Sequence, residues 1–274
     1  MRSLKILNSK KRKIVDPDGG DGLLQYILDI ILEYAEINSS NSLVEFGAHT
    51  GEGGVFLDFL IKQGYKAVLI EGDKDSYDGL TEQYKNNDKV ICINKFVDDE
   101  GQNTLDKILK ETDIDKAFDV LLIDVDSIDY QIWESLDEYS PLVVIIEFNE
   151  TYGPYLERIH NKNVIKWATL MNASKENNHW SSSIAGSSIN SINQLAKSKD
   201  YELLTCTRNN AFFIKKELFH FFHLEEVNIE KNSTIMTLNI ANRLLTKTQL
   251  MKKYLDLAQL RPFSCTGSKK ELEL

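Results

Sequence analysis

Cysteine is scarce in this sequence, negative charge outweighs positive charge, and long apolar runs are missing. The three cysteines, Cys92, Cys206 and Cys265, are widely spaced and odd in number. This pattern is typical of a reducing compartment and argues against a disulfide framework or a zinc cluster. The formal net charge of −10 argues against broad nucleic-acid binding, because attraction to phosphates needs a basic surface. We therefore expect no nucleic-acid partner.

The sequence also offers no segment for a membrane. No apolar run is long enough to cross a bilayer. Residues 10–13 are basic, but no apolar segment of the signal-peptide type follows them. We expect a cytoplasmic protein that does not contact a membrane.

The remaining composition is that of a globular protein. The chain has 274 residues, of which 42% are hydrophobic and 27% charged, so it can bury a full core. We predict a basic N-terminal tail over residues 1–20, a main domain over residues 21–218 with an irregular insertion at 149–180, and a C-terminal helical extension over 219–274. The amphipathic spacing in that extension suggests a contact between copies of the chain.

Short apolar runs alternate with amphipathic segments through the main domain. The apolar runs predict strands at residues 43–46, 66–70, 90–93, 120–123, 142–146, 201–204 and 211–214. Helical spacing predicts helices at residues 22–37, 55–64, 77–84, 105–109, 130–136 and 186–196. Consecutive apolar positions within the strands indicate burial on both faces. The pattern predicts an α/β fold with a doubly wound, mostly parallel seven-stranded sheet, whose last two strands pair as an antiparallel hairpin.

A glycine-rich loop follows the first predicted strand. Gly47, Gly51 and two later glycines let the backbone turn tightly and pass close to a ligand. Glu45 lies inside the strand, two residues before the first glycine. Because an upstream carboxylate adds nothing to the binding of an anion, Glu45 suits a ligand that carries a positive charge.

Further acids end the neighbouring strands. Glu71 lies 24 positions after Gly47, close to the spacing of about 20 at which an acid reaches a ribose diol. Asp124 and Glu147 follow the fourth and fifth strands, where ligands bind in open α/β sheets. The glycine spacing disfavours an NAD-dependent oxidoreductase, because Gly47 and Gly51 are separated by three residues in place of the G-x-G-x-x-G pattern.

At these motifs the sequence resembles the class I S-adenosylmethionine-dependent methyltransferases. Residues 44–51 (VEFGAHTG) look like their first motif, with His49 in place of a middle glycine, and residues 69–73 (LIEGD) look like the second. More narrowly, residues 118–126, 143–149, 186–196 and 210–213 look similar to FkbM-like methyltransferases. The resemblance covers about residues 42–218 and implies a Rossmann-like methyltransferase fold that binds S-adenosylmethionine.

The resemblance also implies the cofactor contacts. Glu45 would lie near the methionine end, Glu71 would hold the ribose, and the residues after the third strand would flank the adenine. The implied cofactor-binding set is Glu45, Gly47, Ala48, His49, Gly51, Glu71, Gly72, Phe96, Val97, Asp98 and Asp124. For Asp98, a helix N-cap or a solvated loop acid is an equally good interpretation.

Methyl transfer to oxygen needs a group that removes the hydroxyl proton. The candidates are Asp124 and Glu147 at the strand ends, and His160 and His179 from the insertion. A magnesium ion could serve instead, and its candidate ligands are Asp124, Asp126, Glu147 and Asn149. The alternative is that Asp126 and Asp129 cap the following helix and that Asn149 turns the chain.

The sequence therefore predicts an O-methyltransferase that acts on a hydroxyl of a small acceptor. The resemblance favours a sugar, a sugar-nucleotide or a glycosylated metabolite. The alternative function is a non-catalytic binding or assembly module with the same fold.

Overall fold

The computed structural model describes residues 18–35, 37–49, 55–153, 155–160 and 186–222. All of them belong to the first of the two units into which the chain divides, Met1–Asn232. Residues 223–274 of the C-terminal extension, and with them its predicted contact between copies, fall outside the described residues, as do most of the N-terminal tail and of the insertion. Of the candidate site residues, Gly51 and His179 also lie outside them.

Seven strands form one sheet within the described residues. They are β1 (Ser42–Phe46), β2 (Lys66–Glu71), β3 (Val90–Asn94), β4 (Val120–Ile123), β5 (Val143–Glu147), β6 (Tyr201–Cys206) and β7 (Asn210–Lys215). Their order is β3-β2-β1-β4-β5-β7-β6. The strands β1 to β5 are parallel, whereas β7 runs antiparallel to both β5 and β6. The predicted seven-stranded, mostly parallel sheet and its terminal hairpin are confirmed.

Helices connect the parallel strands. The α-helices are α1 (Gly20–Tyr34), α2 (Asp58–Lys62), α3 (Lys74–Tyr84), α4 (Leu105–Leu109), α5 (Asp129–Ser135) and α6 (Ile189–Ser198), and the 3-10 helices are Glu150–Tyr152 and Lys216–Phe222. The sequence placed β4 and α4 at the correct residues. The helix after the glycine loop was predicted from Val55 but begins only at Asp58, because residues 55–57 form a separate turn.

The core lies on both sides of the sheet. Every residue of β1 and β4 is buried, as expected for central strands covered on both faces. On one side, Trp133 of α5 packs against Phe213 at a ring-centroid distance of 5.3 Å and against Tyr201 at 5.6 Å. Phe222 is also buried, so core contacts continue past residue 218. None of the described helices is long and apolar enough to cross a membrane.

The strand order fixes where a ligand would bind. The chain winds from β1 outward to β3 and then returns to place β4 on the other side of β1. The sheet therefore changes winding direction between β1 and β4. In open α/β sheets, ligands bind outside the carboxyl ends of the strands at such a point.

Candidate functional site

The ends of β1 and β4 touch at the point where the winding reverses. Gly47 follows β1 with φ of +75°, and its N–H donates to the Ile70 carbonyl at 3.1 Å. A Cβ at position 47 would lie 1.7 Å from the carbonyl oxygen of Asp124. Only glycine therefore allows the loop after β1 to pass over the end of β4.

Glu45, two residues before Gly47 in β1, is bound to the main chain of the protein itself. Its side chain is buried, and its Oε1 and Oε2 accept hydrogen bonds from the N–H groups of Phe56 and Leu57, each at 2.8 Å. Burial raises the pKa of Glu45 to about 7, although the two N–H donors act in the opposite direction. The carboxylate thus holds the segment that leaves the glycine loop. Its contact with a cofactor stays a prediction.

The described beginning of the glycine loop is attached to the neighbouring strand. Ala48 is fully buried, and its N–H donates to the same Ile70 carbonyl at 3.4 Å. His49 is exposed, and its Nδ1 lies 3.1 Å from the Ser76 hydroxyl of α3. Position 49 therefore bridges the loop after β1 and the helix after β2.

An acid and an aromatic ring lie side by side after β2 and β3. Glu71 is buried at the end of β2, and its Oε1 accepts from the Asp73 N–H at 2.8 Å. A Cβ at Gly72 would lie 2.2 Å from the Phe96 ring, so the ring rests on the Gly72 backbone. Phe96 is 50% exposed. An exposed ring beside a carboxylate offers an apolar face for a base and an acceptor for ribose hydroxyls.

The residues after Phe96 are less enclosed. Asp98 is exposed, and its Oδ1 accepts from the N–H of Asp99 at 2.8 Å. Partial burial and the neighbouring Asp99 raise the pKa of Asp98. The N-cap of α4 is Thr104, which excludes the helix-cap interpretation of Asp98. Val97, between Phe96 and Asp98 in the chain, is half-buried.

Three carboxylates converge where β4 and β5 end. Oxygens of Asp124, Asp126 and Glu147 lie within 4.8 Å of one another. Burial, followed by the charge of Glu147, raises the pKa of Asp124 well above its ordinary value. Burial, with the charges of Asp129 and Asp126, raises the pKa of Glu147 to about 8. At neutral pH the cluster therefore retains a proton.

Sequence reasoning missed Asn209 as a partner of this cluster. Asn209 lies in the turn between β6 and β7, and its Nδ2 donates to Glu147 Oε1 at 2.6 Å. The main-chain carbonyl of Asn209 also accepts from the Phe148 N–H at 2.8 Å. The turn is thus attached to the end of β5 through both backbone and side chain. Only the antiparallel pairing of β5 with β7, which brings Asn210 opposite Glu147, could have indicated this contact.

Asp129 holds the loop between β4 and α5 through a hydrogen bond to Val125. Its carboxylate is 1% exposed and accepts from the Val125 N–H at 2.8 Å. Burial raises its pKa to about 7. The expected alternative, a helix cap by Asp126 and Asp129, is wrong for α5, because its N-cap position is Ile128 and has no side-chain cap. Asp126 is exposed and has a left-handed backbone with φ of +62°.

The other candidates have contacts of their own. Asn149 Oδ1 accepts from the Thr151 N–H at 2.9 Å and so caps the 3-10 helix after β5, which agrees with its interpretation as a turn residue. His160 is buried, and its main-chain N–H donates to the Ser187 hydroxyl at 3.0 Å. Gln131 of α5 donates to the His160 carbonyl. His160 is therefore held between α5 and the segment before α6.

The chain is similar to solved structures at low sequence identity. No protein-family model and no curated protein matches the sequence. The CMeT domain of the citrinin polyketide synthase has 10% identity and a TM-score of 0.42, over 77% of this chain and 55% of that chain. An O-methyltransferase family protein from Burkholderia thailandensis has 11% identity and a TM-score of 0.39, over 72% and 57%. The DszA carbon methyltransferase has 12% identity and a TM-score of 0.45, over 77% and 57%.

The chain spans just over half the length of each of these three structures. At such identities, function has to be inferred from the residues of the chain itself.

Proposed function

We propose that the protein is an S-adenosylmethionine-dependent methyltransferase. The observation that carries the proposal is the position of Glu71 and Phe96 at adjacent strand ends, next to the reversal of winding at Gly47. A buried acid within reach of a ribose diol, beside an exposed ring, suits a nucleoside. The residues of the glycine loop would hold the methionine part.

Methyl transfer to a hydroxyl has simple requirements at this site. Bound S-adenosylmethionine would supply the methyl carbon to an acceptor oxygen held in line with the sulfonium, with a neutral thioether as the leaving group. The hydroxyl proton must pass to a base as the new carbon–oxygen bond forms. Asp124 and Glu147 are the proposed bases, because they lie at the carboxyl ends of β4, which pairs with β1, and of the adjacent β5. Because the pKa of Glu147 is raised to about 8, its carboxylate becomes available as a proton acceptor as the pH rises into the mildly alkaline range.

The acceptor that we propose is a sugar, a sugar-nucleotide or a glycosylated metabolite. The support is the resemblance to FkbM-like proteins, together with a strand-end cluster rich in carboxylate and amide groups. Such groups suit hydroxyl-bearing ligands. His160, from the insertion, is a further candidate base, and its main-chain carbonyl contacts Gln131 of α5.

A magnesium ion is a further proposal for the same cluster. Asp124, Asp126 and Glu147 offer three carboxylate oxygens within 4.8 Å of one another, which fits the hard oxygen ligands that Mg²⁺ prefers. Asn149 fits less well, because its Oδ1 already accepts from Thr151. A bound ion would lower the pKa of the acceptor hydroxyl. We expect chelation to abolish turnover and magnesium to restore it, and full activity after exhaustive chelation would reject the ion.

Calorimetric titration with S-adenosylhomocysteine tests the proposal. We expect saturable binding by the wild-type protein and a severe loss in Glu71→Ala, because the ribose hydroxyls lose their acceptor. Glu82→Ala, on the exposed surface of α3, is the matched control and should bind normally. Absence of binding by the wild-type protein would sink the proposal. Binding of NAD would favour an oxidoreductase, and cofactor binding without turnover would favour a non-catalytic module.

A further inference from the structure

One carboxylate fixes the segment that leaves the glycine loop. The two oxygens of Glu45 accept from the N–H groups of Phe56 and Leu57 at 2.8 Å each. Glu45 is only 3% exposed. Both carboxylate oxygens are therefore directed at the main chain of the protein, and little of the side chain remains for contact with a ligand.

The same segment is held from a second side. Asp58 begins α2, and its Oδ1 accepts from the Tyr84 hydroxyl of α3 at 2.7 Å. Val55 and Leu57 are fully buried between these contacts. The exit of the loop is thus attached to β1 through Glu45 and to α3 through Tyr84.

This geometry disfavours a direct role in charge attraction. A carboxylate that binds a sulfonium or an ammonium group needs an oxygen that faces the ligand. In Glu45 each oxygen faces an N–H donor two or more residues beyond the glycines. Removal of the carboxylate would leave the buried N–H of Leu57 and the partly buried N–H of Phe56 without this acceptor, and an unsatisfied buried donor is costly.

We propose that Glu45 is a positioning residue, which acts on the binding of S-adenosylmethionine by fixing the main chain at Phe56 and Leu57 and does not contact the methionine end. The identity of the ligand rests on the function proposed above. The anchoring itself is a property of the ligand-free protein. The two parts can therefore be tested separately.

Amide hydrogen exchange of the ligand-free protein tests the anchoring. In Glu45→Gln one oxygen is replaced by an NH₂ group, which cannot accept a hydrogen bond. We expect exchange at Phe56 or Leu57 to accelerate about tenfold or more relative to wild type. Unchanged exchange at both amides would overturn the proposal. If Glu45→Gln does not fold, Glu45→Asp, whose shorter side chain reaches the donors poorly, is measured in the same way.

The matched control is a buried acid at the amino ends of the central strands, whereas Glu45 lies near their carboxyl ends. Asp119 precedes β4, is 1% exposed, and accepts from the Ser39 hydroxyl and the Ser40 N–H. Asp119→Asn also disturbs a buried carboxylate, but one whose partners are Ser39 and Ser40 and not Phe56 or Leu57. Once the exchange rates are corrected for the global stability of each variant, the amides of Phe56 and Leu57 should exchange in Asp119→Asn at the wild-type rate.

Affinities for three ligands then separate positioning from direct contact. S-adenosylmethionine carries a sulfonium and an ammonium group, S-adenosylhomocysteine carries only the ammonium group, and the deamino analogue of S-adenosylhomocysteine keeps the amino-acid chain but carries neither. If Glu45 acts by positioning, Glu45→Gln weakens all three by the same factor. If the deamino analogue binds unchanged while the other two weaken, the carboxylate contacts the amino-acid end and the proposal fails. If the wild-type protein binds none of them, the proposed function fails, and amide exchange alone decides the anchoring.

Discussion

The carbonyl oxygen of Asp124 occupies the space in which a side chain at Gly47 would begin, 1.7 Å from an ideal Cβ. The backbone φ of Gly47 is also positive, at +75°. We therefore expect Gly47→Ala to lower the free energy of unfolding by roughly 4 kcal/mol or more, or to prevent folding, because a backbone clash adds to left-handed strain. Chemical denaturation followed by circular dichroism measures the change.

Gly101 separates the two causes. Its φ is +78°, but a Cβ there would meet nothing within 4 Å. Gly101→Ala should therefore cost only about 1–2 kcal/mol, the strain of a left-handed alanine. Equal losses of unfolding free energy in the two variants would show that the close approach of Asp124 adds nothing to the cost of a side chain at position 47.

Phe96 provides a second prediction. Its ring is half-exposed and rests on Gly72, so its removal should cost little stability but remove a face for the adenine. We expect Phe96→Ala to weaken S-adenosylhomocysteine roughly tenfold, as for other base–aromatic contacts. Gly72→Ala should weaken binding too, because the added methyl displaces the ring. Tyr155→Ala, at a more exposed ring outside the nucleoside site, is the control; an equal loss there would contradict the assignment.

Asn209 is expected to affect turnover more than binding. Its amide donates to Glu147 at 2.6 Å, so Asn209→Leu leaves the carboxylate without this donor and misplaces it. With any acceptor that the wild-type protein methylates, kcat should fall about tenfold or more, while the affinity for S-adenosylhomocysteine stays the same. Arg208→Gln breaks an exposed ion pair with Glu150 in the same turn and should change kcat little. Normal turnover in Asn209→Leu would remove Glu147 from the mechanism.

Stability should depend on pH through the buried carboxyl groups of Glu45 and Asp129 and the half-buried carboxyl group of Glu147. Burial raises the pKa values of Glu45 and Asp129 to about 7 and that of Glu147 to about 8, from ordinary values of 4.5, 3.8 and 4.5. Between the ordinary and the raised values, the folded protein binds more protons than the unfolded chain, so rising pH favours unfolding. With respect to these groups, we expect the free energy of unfolding to be largest below about pH 4 and to fall as the pH rises through 8, by on the order of 1–3 kcal/mol per group.

Urea denaturation at several pH values measures this dependence. Glu147→Gln should reduce the slope between pH 5 and 8 (about the range set by its two pKa values), whereas Glu82→Gln on the exposed surface of α3 should not. A stability that is constant or rises over this range would contradict the burial of these acids.

The sequence predicted those elements whose signal is local. The bounds of Val120–Ile123 were predicted correctly, because a fully buried strand is a continuous apolar run. Those of Leu105–Leu109 were also correct, because its apolar residues recur at helical spacing. The helix after the glycine loop was misplaced at Val55. There the chain is held by Glu45 through main-chain hydrogen bonds, which leave no mark in the periodicity.

The site was predicted as far as parallel strands bring their ends together. Asp124 and Glu147 were expected to be neighbours, since each follows a strand at the same edge of the sheet, and their oxygens do converge. Asn209 lies 62 residues after Glu147 in the chain. Its contact depends on β7 inserting between β5 and β6, an order that hydrophobic patterns do not encode.

A crystal structure with bound S-adenosylhomocysteine tests the central claim most directly. The distance to measure joins the carboxylate oxygens of Glu71 to the ribose hydroxyls. We predict hydrogen bonds of about 2.5–3.0 Å, with the adenine against Phe96 and the thioether sulfur facing Asp124. A ligand bound elsewhere, or a ribose out of reach of Glu71, would contradict the account.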